Sequence, residues 1–161
     1  MINNSIENLI KSNSKRINKT NILCIGDMIL DQYIYGHVER MSPEAPVPIL
    51  SVKDENFQLG GVGNVARNIS SLGGKATIIS LIGKDSSSKY IEKLIKKEKN
   101  LKGDFVADEH YSTPLKMRFL NKFTQLLRVD KEGTISKLKT SYIQKIKDKI
   151  RKQIEHYDAV I

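Results

Sequence analysis

The sequence predicts an α/β protein in which strands and helices alternate around a parallel sheet. Short apolar runs rich in β-branched residues alternate with segments whose apolar residues recur at helical spacing. A segment with three prolines separates two β-type runs and predicts a small hairpin outside the main sheet, because proline lacks a backbone donor. The final residues, YDAVI, resemble the first half of a buried strand, so we expect the sheet to be incomplete at the C-terminus.

The predicted elements follow in chain order from these patterns. Residues 1–20 carry a short amphipathic pattern and predict an N-terminal helical extension, and residues 21–161 form the domain. Strands are predicted over residues 21–27, 32–38, 47–53, 76–82, 103–108, 115–120 and 125–130.

Three helices are predicted between these strands. The first places Val65, Ile69 and Leu72 on one face and ends at Gly73 and Gly74. The second begins at a serine run, residues 86–88, whose side chains are candidate caps. The third covers residues 136–156. Its predicted apolar face consists of Leu138, Tyr142, Ile146, Ile150 and Ile154.

Composition excludes several functional classes. The chain has no apolar run long enough for a membrane span. Its N-terminal residues lack a continuous apolar core, so we expect no signal peptide, and its single cysteine, Cys24, predicts neither a disulfide framework nor a metal cluster. We therefore expect a reduced, cytoplasmic setting. The net charge of +9 comes largely from lysines spread along helical faces, with few aromatic residues among them, so we expect no nucleic-acid or membrane partner.

The stretch LGGVGNVARNISSLGG, residues 59–74, holds five of the ten glycines. Gly61-x-Gly63-x-x-Ala66 matches a dinucleotide fingerprint, and Asp85 stands at a suitable distance for a ribose carboxylate. That fingerprint needs a strand running directly into its first glycine, whereas the polar KDENFQL intervenes here. A P-loop is rejected, because the Gly-Lys pairs at 74–75 and 83–84 are followed by an alanine and an aspartate rather than by Ser or Thr.

A third interpretation of the glycines is a sugar site. Glycines allow close approach of the backbone to a ligand, and Asn64 at a helix N-terminus offers both a donor and an acceptor. This chemistry suits a neutral polyol or a sugar phosphate. A tight loop that only packs against the sheet is the alternative.

Longer motifs resemble a known family. The segments GDMILDQYIYG, RMSPEAPVPIL, LGGVGNVARNISSLGG and TPLKMRFLNKFTQLLRVD resemble the N-terminal half of the ribokinase-like, or PfkB, carbohydrate kinases. More narrowly, they are similar to bacterial D-glycero-β-D-manno-heptose 7-phosphate kinases. Val62 departs from the pattern, since a Gly, Ala or Pro is usual there. The resemblance implies a Rossmann-type sheet with helices on both faces and a small β lid.

The resemblance implies a role for the glycine loop and the carboxylates before it. Asp31, with Asp27 nearby, and the loop residues Gly60, Gly61 and Asn64 would hold the hydroxyls of the sugar. Carboxylates suit this role because each accepts hydrogen bonds from two neighbouring hydroxyls. For Asp27, a turn at the end of a strand is the alternative.

Two cations would contact the phosphate of the substrate. Lys116 and Arg118, on one face of a strand, are similar to the family residues that reach the 7-phosphate. The alternative is an exposed charged strand face. Arg128 and Asp130 are interpreted as a structural ion pair.

The implied lid covers about residues 32–53 and 114–121 and often pairs with a second subunit in this family. Much apolar surface on a small hairpin predicts a homodimer here. The residues concerned are Tyr33, Ile34, Tyr35, Val47 and Ile49.

The implied reaction is phosphoryl transfer from ATP, with Mg²⁺, to the anomeric hydroxyl of heptose 7-phosphate, a step toward ADP-heptose and the lipopolysaccharide core. The family keeps its catalytic base and anion hole in a Gly-Ala-Gly-Asp motif, which these 161 residues lack. We therefore expect the chain alone to be inactive, to bind neither ATP nor Mg²⁺, and to need a C-terminal half. The alternatives are a non-catalytic remnant that binds a sugar phosphate or a subunit, and a family kinase acting on another sugar.

Overall fold

A computed structural model describes residues 6, 12–13, 16–133 and 140–161 of the chain. The predicted N-terminal extension therefore lies largely outside the described residues, and so do the first four positions of the predicted C-terminal helix. Within the described part of the chain, no helix is long and apolar enough to cross a membrane.

Ten strands and three α-helices lie between Asn21 and Val160, and the described residues 6, 12–13 and 16–17 are also helical. The strands are β1 (Asn21–Ile25), β2 (Met28–Met41), β3 (Pro48–Gly61), β4 (Lys75–Ile79), β5 (Leu81–Gly83), β6 (Leu101–Gly103), β7 (Val106–Asp108), β8 (Leu115–Asn121), β9 (Thr124–Lys131) and β10 (Ala159–Val160). The helices are α1 (Val62–Ser71), α2 (Ser86–Lys97) and α3 (Thr140–Gln153), and a 3₁₀ turn, Ile154–His156, follows α3.

The strands form three sheets. The main sheet is parallel and has the order β10-β1-β4-β6, and β5 and β7 form a small parallel pair. The remaining strands form a separate sheet of order β3-β2-β8-β9, which we call the mixed sheet, because β2 pairs antiparallel with β3 and parallel with β8. The predicted α/β class is confirmed, and so is a hairpin outside the main sheet.

The core lies where the main sheet meets the helices and the base of the mixed sheet. Residues 76–79 of β4 are all buried, so both faces of this strand are covered. Helices α1 and α3 both contact β4. Leu30 and Leu59 extend this core into the mixed sheet, where they pair across β2 and β3. The mixed sheet is thus anchored at its base and free of the core at its tip.

Two predicted strands are interrupted in the structure. The strand predicted over residues 76–82 breaks at the buried Ser80, whose hydroxyl accepts a hydrogen bond from the Met28 N–H at 3.0 Å. The strand predicted over 103–108 divides into β6 and β7, which join different sheets. The prediction was wrong because the chain steps from one sheet to the next at both places, and an apolar run alone does not reveal such a step.

Helix α1 buries only part of the face that the sequence predicts. Ile69 packs against the core, but Val65 is 39% and Leu72 is 66% exposed, and the buried residues are Val62, Gly63 and Ala66. Both triplets have helical spacing, so periodicity alone does not choose between them. The predicted C-terminal end is confirmed: Gly73 N–H donates to Ser70 C=O and Gly74 N–H to Ile69 C=O, the two hydrogen bonds of a Schellman motif.

The N-cap of helix α2 lies one residue before the serine run. Asp85 is the N-cap, because its carboxylate accepts the Ser88 N–H at 2.9 Å, and the Ser88 hydroxyl oxygen accepts the Asp85 N–H at 3.2 Å. The same carboxylate accepts the Thr113 N–H at 2.7 Å. Burial opposes ionisation, but these hydrogen bonds outweigh it and lower the pKa of Asp85. The carboxylate of Asp85, which the sequence offered as a possible ligand for a ribose, is therefore occupied by hydrogen bonds within the fold.

Helix α3 confirms the predicted C-terminal helix over its described residues, with a different ending. Tyr142 is buried, but Ile154 falls in the 3₁₀ turn and is 40% exposed. Lys149 and Gln153 both donate hydrogen bonds to the carboxylate of Asp104, and the Gln153 bond is 2.7 Å long. These contacts hold α3 against the loop that joins β6 to β7.

Candidate functional site

The glycine loop continues directly from a strand. Residues 53–59, expected to be a polar linker, belong to β3, which runs without interruption into α1 at Val62. The prediction failed because residues 51–56 of β3 are exposed on both faces of the strand, where polar side chains are common. The dinucleotide reading still does not fit, because β3 is antiparallel in the mixed sheet whereas β4, after the helix, lies in the main sheet.

One face of the mixed sheet carries a compact set of charged and aromatic side chains. Asp31 on β2 lies beside Lys116 on β8, which lies opposite Asp130 on β9. One step further along, Tyr33 lies beside Arg118, and Arg118 lies opposite Arg128. Because paired residues share a face of a sheet, these six side chains point to the same side, which we call the charged face.

Asp31 and Arg118 form the central contact of the charged face. Arg118 Nη1 lies 2.5 Å from Asp31 Oδ1, and the two side chains are 21% and 17% exposed. The guanidinium carbon also lies 5.1 Å from the centre of the Tyr33 ring. The hydrogen bond to Asp31 raises the pKa of Arg118. The carboxylate of Asp31 is thereby fixed in position by a permanent cation.

The paired glycines leave room for this carboxylate. A Cβ atom on Gly60 would collide with Asp31 Oδ2, so a side chain there would displace the acid. Gly61 has φ 55°, in the left-handed region that favours glycine, and a Cβ on it would collide with the Asp27 carbonyl oxygen. That carbonyl accepts the Val62 N–H, the first donor of α1, at 3.1 Å. The loop thus brings a helix N-terminus beside Asp27.

Several of the predicted site residues are in contact in the structure, whereas the side chain of Asn64 is not bonded to the others. Asp31, Gly60 and Arg118 are in direct contact, and Asp27 is joined to the start of α1 through its backbone. Asn64, in the first turn of α1, is exposed and forms no side-chain hydrogen bond with any residue that the structure describes. Its amide is therefore available to a ligand at the helix N-terminus.

Lys116 belongs to a second charged contact on the same face. Arg128 Nε donates to Asp130 Oδ1 at 2.9 Å, which confirms the ion pair predicted between these residues. Lys116 Nζ lies 4.0 Å from the other oxygen, Asp130 Oδ2. The carboxylate of Asp130 thus lies between two cations. The contact with Lys116 could not be predicted from the alternation of side chains along β9, because Lys116 belongs to the neighbouring strand.

A cleft of about 250 Å³ opens beside these groups. Asp27, Lys116 and Asp130 line it together with Tyr111, a residue that the sequence analysis did not select. Burial, followed by the negative charges of Asp27 and Asp85, raises the pKa of the Tyr111 phenol. Tyr111 lies in a loop without periodicity, so no signal in the sequence marks it. Its phenol would present a neutral hydroxyl donor to a ligand in the cleft.

The charged face can bind a polar, anionic ligand. Its carboxylates accept hydrogen bonds from hydroxyls, and its arginine and lysine side chains suit a phosphate. Among the described residues, no group of three or more His, Cys, Asp or Glu side chains is arranged to hold a metal ion.

Comparison with known proteins finds a family match for most of this chain. Residues 19–159 match the family model described as pfkB family carbohydrate kinase. The chain is similar to a D-beta-D-heptose 7-phosphate kinase of Bordetella bronchiseptica, 38% identical over 92% of this chain and 46% of that protein. It is also similar to the bifunctional protein HldE of Caulobacter vibrioides, 45% identical over 69% of this chain and 23% of that protein. The chain thus spans less than half of these relatives.

Solved structures show the same fold. Phosphofructokinase-2 from Escherichia coli aligns with a TM-score of 0.64 at 23% identity, over 83% of this chain and 41% of that one. A carbohydrate kinase from Agrobacterium tumefaciens aligns with a TM-score of 0.56 at 21% identity, over 70% of this chain and 35% of that one.

Proposed function

Because this chain belongs to the pfkB family of carbohydrate kinases, we propose that its charged face is the sugar side of an ATP-dependent kinase. The substrate proposed is D-glycero-β-D-manno-heptose 7-phosphate, phosphorylated at its anomeric hydroxyl, which would serve ADP-heptose and lipopolysaccharide synthesis in the cytoplasm. The observation that carries the proposal is the Asp31 carboxylate, held by Arg118 and approached closely by Gly60. The likeness to a heptose 7-phosphate kinase supports the choice of sugar.

Each residue of the proposed site has a chemical group that matches one part of the substrate. Asp31 and Asp27 accept hydrogen bonds from sugar hydroxyls, and Gly60 and Gly61 let the sugar lie against the backbone. Asn64 donates to a further hydroxyl from the start of α1. Lys116 and Arg118 supply the positive charge for the 7-phosphate, and Arg118 also holds the Asp31 side chain in position.

A binding experiment tests this assignment. Titration calorimetry of the purified chain with heptose 7-phosphate should detect binding that Asp31→Asn weakens by at least about tenfold, because a neutral amide accepts hydroxyl hydrogen bonds less strongly than a carboxylate. Glu39→Gln removes an exposed acid on the same strand and is the matched control. Equal affinity of the wild type and Asp31→Asn would contradict the proposal, and tighter binding of another sugar phosphate would redirect it to that sugar.

We propose that the 161 residues alone do not transfer phosphate. Phosphoryl transfer depends on positioning and charge stabilisation, and loss of one preorganised donor typically costs about a hundredfold to a thousandfold in rate. The family motif with the base and anion hole is not in this sequence. An ATP-consumption assay with heptose 7-phosphate should show no turnover until the corresponding C-terminal segment of the Bordetella relative is added. Turnover by the chain alone would contradict this, and binding without turnover in both mixtures would favour a non-catalytic remnant.

We further propose a homodimer through the apolar face of the mixed sheet. Leu127 and Val129 on β9 are 56% and 38% exposed, and Val47 at the hairpin tip is 51% exposed. Ile34, counted among the exposed apolar residues in the sequence analysis, is buried instead. Light scattering at tens of micromolar should give a dimer mass that Leu127→Glu reduces to a monomer. A monomeric wild type would contradict the proposal.

A further inference from the structure

The three cations of the charged face do not have equal freedom to bind a phosphate. Arg118 gives its hydrogen bond to Asp31 and stacks against Tyr33, and its side chain is only 21% exposed. Lys116 and Arg128 are 35% and 52% exposed, respectively. The two cations that a ligand can reach most readily are therefore Lys116 and Arg128.

These two cations share one carboxylate. Asp130 Oδ1 accepts from Arg128 Nε at 2.9 Å, and Asp130 Oδ2 lies 4.0 Å from Lys116 Nζ. The Asp130 carboxylate thus presents one oxygen to an arginine and the other to a lysine. Proteins hold the oxygens of a phosphate with the same two kinds of side chain. Asp130 and Lys116 both line the cleft of about 250 Å³, so the shared carboxylate is at the position that a ligand phosphate would approach.

We propose that Lys116 and Arg128 form the phosphate subsite and that Asp130 is its internal competitor, which pairs the two cations until a phosphate displaces its carboxylate. The inference rests on the proposed function: Lys116 and Arg128 contact the phosphate directly, and Arg118, paired with Asp31, contributes positive charge from beside them. A phosphate dianion offers two charges to the two cations, whereas the carboxylate offers one, so displacement favours a dianionic group. Sugars without a phosphate do not engage this subsite and leave the Asp130 contacts intact.

The variant Asp130→Asn tests whether Asp130 competes with phosphate or only forms a structural ion pair with Arg128. The amide keeps an oxygen that can accept from Arg128 but removes the charge that repels phosphate. Binding of inorganic phosphate and of heptose 7-phosphate, measured by calorimetry at low salt, should tighten about tenfold, because one like charge about 4 Å away is removed. Binding of unphosphorylated heptose should not change. Glu132→Gln, the matched control, removes a charge at the same cleft that has no ion pair among the described residues.

A second variant covers the case in which Asp130→Asn does not fold, as judged by thermal melting. Arg128→Gln should weaken binding of both phosphate ligands by about tenfold and leave unphosphorylated heptose unaffected. The inference is overturned if Asp130→Asn binds phosphate no more tightly than the wild type, if Glu132→Gln tightens it equally, or if Arg128→Gln has no effect. If inorganic phosphate shows the expected changes while no heptose binds, the subsite stands and the proposed sugar is wrong.

Discussion

Replacing Gly60 with alanine tests whether this glycine exists to make room for the Asp31 carboxylate. The new Cβ would collide with Asp31 Oδ2 and would lie 3.3 Å from the Ile29 Cβ. Relief requires the carboxylate to turn away from Arg118, so the variant loses either good packing or the ion pair. Overpacking costs about 1–3 kcal/mol and a charged hydrogen bond about 1.5–3 kcal/mol. Because breaking the Asp31–Arg118 hydrogen bond relieves the overpacking, the two costs do not add. We therefore expect the free energy of unfolding to fall by about 2 kcal/mol.

The assay is thermal unfolding followed by circular dichroism, together with urea titration. For a chain of this size, about 2 kcal/mol corresponds to a fall in Tm of roughly 4–8 °C. The matched control is the same change in an Asp31→Ala background, where the colliding oxygen is absent. There, Gly60→Ala should be neutral or stabilising by about 0.5–1 kcal/mol, because alanine fits a strand better than glycine. Equal losses in both backgrounds would refute the reasoning.

Three further predictions concern the stability of the fold and the burial of its core. Asp85→Ala should cost about 1–2 kcal/mol at pH 7 through its lost cap. Because the folded pKa of Asp85 is lowered, its contribution is present above the ordinary value of 3.8 and is lost as the pH falls through the folded pKa. A gap from wild type that does not shrink in urea melts as the pH is lowered below 3.8 would contradict the prediction. Burial raises the pKa of the Cys24 thiol, and iodoacetamide at pH 8 should label it at least about tenfold more slowly in the folded chain than in urea; equal rates would count against its burial. Ile91→Ala, at a fully buried position, should cost about 2–5 kcal/mol, whereas the exposed Glu92→Ala should stay within about 0.5 kcal/mol, and similar losses would contradict this core assignment.

Local chemistry explains the predictions that succeeded. The hairpin of β8 and β9 follows from two β-type runs close together in sequence, and the end of α1 follows from its paired glycines. The proline-bounded segment correctly indicated a separate sheet. In each case neighbouring residues determine the conformation, and these residues can be read directly from the sequence.

Where two local solutions were available, the tertiary structure chose between them. Helix α1 could bury either Val65 or Val62, and the position of the mixed sheet selects Val62. A serine run offered three caps for α2, yet Asp85 takes that role because Thr113, from a distant loop, binds the same carboxylate.

The sequence by itself determined the fold class, the glycine loop and the residue types available for a polar site. Only the tertiary structure decided which of those residues meet. Asp31 and Arg118 are 87 positions apart, and a parallel register between β2 and β8 joins them. The β8–β9 register likewise places Lys116 opposite Asp130. Side chains alternate along every strand, so the sequence indicates which residues share a face, but the pairing of strands, fixed by backbone hydrogen bonds and burial, decides which charges become neighbours.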